Sequence, residues 1–127
     1  MRIGIIGPSK FDSLKSINGR YVEIVLDIAR RVANSGHEAM SVPVNGSLSE
    51  FFLKSYIELG GKKAYSLIPM DDKEFGIDYV NQKLGEVVSC GDWRNQPEKL
   101  NEECEVLLCL GYSVGVMAEI AYSKWFN

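Results

Sequence analysis

Apolar residues fall in short blocks separated by glycine and polar breaks, and two kinds of spacing alternate along the chain. The run Arg2-Ile3-Gly4-Ile5-Ile6-Gly7 is almost continuously apolar and stops at Pro8-Ser9, the pattern of a strand buried on both faces. Lys10 to Arg20 is polar; Val25, Ile28, Ala29 and Val32 then recur at helical spacing. Asn34-Ser35-Gly36 ends that helix, with Gly36 free to take the left-handed position past its last turn. Glu38–Val44 reads as a second strand. Ser47-Leu48-Ser49-Glu50 has the form of a capping box, and Leu48, Phe51, Phe52, Tyr56 and Leu59 continue it as a helix closed by Gly60-Gly61. Ala64–Met70 predicts a third strand, and Asp71 to Gly85 a loop or short helical excursion. Glu86–Ser89 predicts a short strand and Asn95–Cys104 a helix with Pro97 in its first turn. Val106–Leu110 is an apolar strand, followed by a helix from Val114 to Trp125.

Strands and helices alternating at these lengths specify an α/β fold: a Rossmann-like, doubly wound parallel sheet in three layers, α/β/α. With 127 residues, one domain spanning 1–127 is expected, large enough for a core. A sheet of this kind that ends on a helix leaves a strand edge exposed, and a second copy of the chain is the expected cover, as a homodimer or larger assembly. The net charge of -3 argues against a broad grip on nucleic-acid phosphates. No apolar run is long enough to cross a bilayer. Cys90, Cys104 and Cys109 form neither a disulfide framework nor a metal-ligand spacing; they read as core residues, Cys109 above all, in a reducing, cytoplasmic setting. No metal and no resident cofactor are called for.

Ligands of open parallel sheets bind beyond the carboxyl ends of the strands. Those ends are Gly7-Pro8-Ser9-Lys10, Pro43-Val44-Asn45-Gly46-Ser47, Pro69-Met70-Asp71 and Gly111-Tyr112-Ser113-Val114-Gly115. Gly7, Ser9, Lys10, Asn45, Gly46, Gly111, Tyr112, Ser113 and Gly115 are therefore candidate ligand or phosphate contacts. Glu119 is the one charged side chain between Val106 and Tyr122. A carboxylate among apolar neighbours must find a partner, raise its pKa or face a wet pocket; a solvent-facing place on the helix is the alternative. Arg94, at a turn before a helix, has the geometry to clamp an anion, or to sit at the surface beside Asp92. His37 follows a helix end on the far side of the sheet and reads as structural.

The succession of Gly7-x-Ser9, Ser47-Leu48-Ser49-Glu50, Gly60-Gly61, a strand ending at Pro69, Trp93-Arg94-Asn95, an apolar strand and Gly111-x-x-x-Gly115-x-x-x-Glu119 resembles the LOG-like proteins. These were once labelled lysine decarboxylases and belong to the SLOG group of Rossmann-like folds, which also contains molybdenum-cofactor carriers. The resemblance runs over nearly the whole chain. It implies assembly into dimers or larger forms. Enzymes of that family hydrolyse the N-glycosidic bond of nucleoside 5′-monophosphates with a Pro-Gly-Gly-x-Gly-Thr-x-x-Glu motif and an upstream Arg. By that likeness Glu119 and Arg94 are the candidate catalytic pair, and Gly115 is the last glycine of the motif. The chain departs from the pattern where Tyr112-Ser113 replaces Gly-Gly and Val116 replaces Thr, which removes backbone approach and a hydroxyl from the phosphate loop. The strand that usually follows this helix in the family is also not found before Asn127.

Three functions remain open on these grounds. The first is binding of a nucleotide-like small molecule through an eroded phosphate loop. The second is a phosphoribohydrolase in which Glu119 stabilises charge on the ribose. The third is an interaction module without a ligand.

Overall fold

The computed structural model describes residues 1–126. Five strands, β1 (Arg2–Ile6), β2 (Glu38–Ser41), β3 (Ala64–Ile68), β4 (Glu86–Ser89) and β5 (Val106–Cys109), form one parallel sheet in the order β4-β3-β2-β1-β5. The helices are α1 (Phe11–Lys15), α2 (Gly19–Asn34), α3 (Leu48–Glu58), α4 (Gln96–Glu103) and α5 (Val114–Tyr122), the last running into a 3-10 turn, Ser123–Trp125. The fold class expected from the alternation is the one observed.

The chain steps outward from β1 through β2 and β3 to β4, then returns to the other side of β1 for β5. Right-handed crossovers taken in opposite directions place their helices on opposite faces, which produces the three layers. On one face Val25, Ala29 and Val32 of α2 and Phe52, Leu53 and Tyr56 of α3 pack with Ile3 and Ile5 of β1. On the other, Leu100 and Cys104 from α4 and Val116 from α5 pack with Ile6, Met40 and Leu67. The alternation of Ile3 and Ile5 with Ile6 along β1 is the two-residue period of a strand serving both layers. Gly4 lets the second layer close in: a Cβ there would lie 2.7 Å from Leu107 Cδ2 and 3.1 Å from Cys104 Sγ.

Tyr56 ties the first layer to the sheet. Its ring is fully buried, its hydroxyl donates to the His37 carbonyl at 2.6 Å, and it accepts from the Lys63 N–H at 3.1 Å. One side chain of α3 thus secures the chain entering β2 and the chain entering β3. Burial of a ring this size contributes on the order of 2–3 kcal/mol, provided its hydroxyl stays bonded.

Several boundaries differ from the sequence reading. The stretch from Lys10 to Arg20 contains the short α1 and the start of α2. Asn18 caps α2 by accepting from the Tyr21 N–H. β2 stops at Ser41 because Pro43 cannot donate to a ladder, and β3 stops at Ile68, just before Pro69. Cys109 is exposed, not a core residue, because β5 lies at the sheet edge. The segment after β3 forms an irregular crossover with no helix. It is pinned by a bridge between Val44 and Val80 and by Asp72 Oδ2, which accepts from the N–H groups of Glu74, Phe75 and Gly76. Among the described residues no helix is long and apolar enough to cross a membrane.

Gly85, at the entry to β4, has φ +71°, and a Cβ there would collide with the Ala64 carbonyl; Gly60 has φ +80° and open space around it. Left-handed backbone costs a non-glycine residue about 1 kcal/mol. Gly60→Ala is therefore expected to lose about that much, and Gly85→Ala at least twice as much, in urea unfolding midpoints. Equal losses would show that β4 moves away freely.

Candidate binding crevice at the strand ends

The strand order reverses between β1 and β5. The chain leaves β1 for one face and β5 for the other, so their carboxyl ends open a crevice. A cavity of about 120 Å³ lies there. Gly7 and Ser9 reach it from the end of β1, and Ser47 and Ser49 from the start of α3. Trp93 and Gln96 come from the start of α4, and Ser113, Gly115 and Glu119 from α5. Two helix starts, each capped by a serine, line this point. The Ser47 hydroxyl accepts from the Glu50 N–H at 3.1 Å, and that of Ser113 from the Val116 N–H at 3.2 Å. Wider depressions lie between β5 and α5 and beside Lys62 and Lys83, about 250 and 720 Å³, but neither holds a buried carboxyl.

Glu119 dominates the site. It is 9% exposed. Burial pushes its pKa up to about 7, against a partly opposing hydrogen bond from Gln96. Gln96 Nε2 donates to Oε2 at 3.0 Å, and Asn101 Nδ2 donates to the Glu119 backbone carbonyl at 2.8 Å. Both supports come from α4, so the packing of α4 on α5 fixes the carboxyl. Asn101 also bonds the Pro97 carbonyl at 2.8 Å, which anchors the amide to its own helix. Of the outcomes open to Glu119, the carboxyl has a partner in Gln96, a raised pKa and a place in the cavity lining, and the solvent-facing position is not taken.

The candidates separate into two groups. Gly7, Ser9, Ser113, Gly115 and Glu119 are brought together around the cavity. Gly111 sits just above them with φ +148°, where a Cβ would press against the Tyr21 hydroxyl and Pro8; the Tyr21 hydroxyl donates to the Leu110 carbonyl. Asn45 and Gly46 belong to the neighbouring turn. The Asn45 N–H donates to the Tyr79 carbonyl at 2.8 Å, and the Gly46 N–H to Glu50 Oε1 at 3.0 Å. Lys10 is exposed at the start of α1, and Tyr112 is 70% exposed. Arg94 also lies outside the lining: its guanidinium binds both oxygens of Glu74, at 2.9 and 2.6 Å, on the surface. The lining contains no Lys, Arg or His.

Trp93, Gln96, Ser47 and Ser49 belong to the site but were not singled out for it. Ser47 was visible as a cap. Trp93 was read only as part of the Trp93-Arg94-Asn95 motif and Gln96 carried no signal, because only the crossover's course brings them over the strand ends. Trp93 is held by its Nε1–H to the Gly76 carbonyl at 2.7 Å and by stacking on Tyr79, ring centroids 5.7 Å apart.

Three solved structures share this fold. The molybdenum cofactor carrier protein of Chlamydomonas reinhardtii superposes with a TM-score of 0.74 at 18% identity, covering 98% of this chain and 70% of that one. The molybdenum cofactor binding protein of Rippkaea orientalis gives 0.77 at 13% identity, with 99% and 72% covered. The structural-genomics target TM1055 gives 0.71 at 22% identity, with 96% and 67% covered. No protein-family model matches the chain, and no curated protein matches it. The Rossmann-like fold with molybdenum-cofactor carriers as structural neighbours is thus established, in agreement with the resemblance read from the motifs.

Glu119 imposes a pH signature on stability. Below its ordinary pKa of 4.5 the carboxyl is protonated in both folded and unfolded chains. Between 4.5 and about 7 only the unfolded chain ionises, so this group's contribution falls as pH rises and is lost above about 7. The span corresponds to about 3 kcal/mol. Glu119→Gln is expected to remove that slope, gaining on the parent between pH 4.5 and 8 in denaturant titrations. A parent-minus-variant difference that stays flat would mean the carboxyl ionises freely.

Proposed function

We propose that the crevice binds a nucleotide-like small molecule and holds it without transforming it. The observation that carries this reading is the buried Glu119 carboxyl at the wall of a strand-end cavity ringed by serine hydroxyls. Ligand sites of drug size usually occupy some 300–1,000 Å³. A cavity of about 120 Å³ therefore accepts one ring or one small group, and the rest of the ligand lies along the rim past Gly111 and Tyr112. The carrier and binding proteins that share the fold support retention over chemistry.

Hydrolysis of an N-glycosidic bond is the second reading. It is favoured by a carboxyl whose pKa of about 7 suits proton transfer at neutral pH. It is weakened by the engagement of Arg94 with Glu74, which leaves the supposed pair separated. It also lacks the motif's glycines and threonine.

A second copy of the chain is the proposed cover for the β5 edge. Val114, Met117 and Ile120, three residues apart on α5, are 79%, 55% and 48% exposed, and Tyr112 and Trp125 extend the patch. Glu119 is the one charge between Glu105 and Lys124 and is buried inward, so two such faces can meet without burying an unpaired ion. The exposed area is of the order of several hundred Å² per copy, the scale of one side of a standard interface. Sedimentation is expected to give a dimer, and Met117→Lys a monomer with the fold intact. A monomeric parent protein would sink this assembly.

Thermal unfolding against nucleoside monophosphates, ribose 5-phosphate and pterins tests the binding reading. A ligand at a hundred times its Kd is expected to add about 2.7 kcal/mol, several degrees in Tm. A Cβ at Gly115 would meet only Ser113 Oγ, at 3.8 Å. Gly115→Phe is thus expected to fold normally and abolish the shift. Release of free base from any compound would replace carrier by hydrolase; no shift from any of them would refute ligand binding here.

A further inference from the structure

The crevice also indicates which part of a ligand enters it, an inference that rests on the binding reading above. Among the described residues, Gln96 is the single hydrogen-bond partner of the Glu119 side chain, and it occupies Oε2. Oε1 makes no hydrogen bond with the protein, yet no fully enclosed side-chain oxygen lacks a partner. Oε1 is therefore open to the cavity that Glu119 lines. An acceptor of this kind, walled in by Val42, Val44 and Trp93, is completed by a donor that the ligand brings.

Charge decides against the alternative. A phosphate pushed into the cavity would meet the Glu119 carboxyl with no cation in the lining to offset the repulsion. The nearest candidates from the sequence, Arg94 and Lys10, lie outside the lining, and Arg94 already has Glu74. From β1, Gly7 and Ser9 face the carboxyl; from α3, Ser47 and Ser49; from the start of α4, Trp93 and Gln96. None of these is charged. Cys104, just past the end of α4, is buried, which pushes its thiol up to about 12 and keeps it neutral. The two serine-capped helix starts supply partial positive charge, enough to meet a ligand carbonyl but spread over neutral groups.

We infer that the cavity admits an uncharged ring with two adjacent hydrogen-bond donors, one pairing with the open Oε1 of Glu119 and the other with the lone pair that Gln96 leaves on Oε2, while any phosphate of the same ligand stays at the rim. Two sources supply that chemistry. One is the amino and ring N–H edge of a 2-aminopyrimidinone, as in guanine; the other is the cis-diol of a ribose.

The sign of the pH dependence separates a donor ring from an anion. Donors prefer the ionised carboxyl, so affinity is expected to climb about tenfold from pH 6 to pH 8 and then level. An anion prefers the protonated carboxyl, and its affinity would fall over that interval.

The test is calorimetric titration of the intact protein at pH 6 and pH 8 with guanosine, 2′-deoxyguanosine, methyl β-riboside, guanosine 5′-monophosphate and inorganic phosphate. The expected result is that guanosine binds within about threefold of its monophosphate, inorganic phosphate does not bind, and affinity rises with pH. Deoxyguanosine binding as well as guanosine assigns the base edge, and methyl β-riboside binding assigns the diol; either supports the inference. Glu119→Gln, checked for folding by its unfolding midpoint, is expected to lose at least tenfold for guanosine and its pH dependence with it. Binding of the monophosphate with guanosine silent, or affinity falling with pH, overturns this inference and leaves ligand binding standing. Silence from every probe overturns both.

Discussion

Everything in this fold hangs on β1, a five-residue strand that must be buried on both faces and paired along both edges. Its residues pair with β2 on one side and β5 on the other, and Ile3, Ile5 and Ile6 are buried in opposite layers. Past Arg2, which pairs with Glu38 and Glu103 at the start of the strand, both faces meet the core, and the side chains are accordingly apolar. The strand can also have no bulk where α4 and β5 crowd it, and glycine occupies position 4 for that reason. Once β1 is central, the strand order must reverse beside it, and the reversal opens the crevice. The site is thus a geometric by-product of core formation, and evolution is left to choose only what lines it.

Glu119 runs against the economy of that core. A carboxyl 9% exposed costs free energy that neither Gln96 nor the cavity fully offsets, because one amide donor satisfies one of two oxygens. The structure contains that cost by making the support rigid. Gln96 and Asn101, both buried, lie on a single helix, and Asn101 is itself held by the Pro97 carbonyl. A carboxyl serving only as a structural hydrogen-bond acceptor would be satisfied at both oxygens. Here, among the described residues, one oxygen is bonded to Gln96 and the other has no hydrogen bond with the protein.

Most of the architecture was legible from spacing because the relevant signals are local. The apolar run of β1, the Ser47 cap, the stop at Gly36 and the Pro97 first turn each carry their own physical cause, and each is realised, although Glu50 closes the capping box on the Gly46 N–H and not on that of Ser47. Glu119 stood out for the same reason, as a charge in an apolar segment. What spacing could not show was anything set by the crossover from Pro69 to Gly85. That segment has no period, yet its course brings Trp93 against Tyr79 and leads into the turn that carries Gln96. Arg94, one residue beyond Trp93, turns the other way and finds Glu74. Cys109 misled for a related reason: an apolar strand suggests a central one, and nothing in four residues reveals that its outer neighbour is solvent.

A crevice beside the strand-order reversal is a property of the topology, and topology does not choose a ligand. Choice rests with the side chains at the strand ends, where this chain has Tyr112 and Ser113 and lines the cavity with no cation. A loop of glycines brings backbone N–H groups close around an anion; a capped serine turn directs its N–H groups inward to its own hydroxyl, as Val116 does to Ser113. Such a turn offers a hydroxyl in place of bare amides, an arrangement less suited to gripping an anion. One fold can therefore present different groups at the same strand ends, and those side chains, not the topology, decide what such a crevice takes.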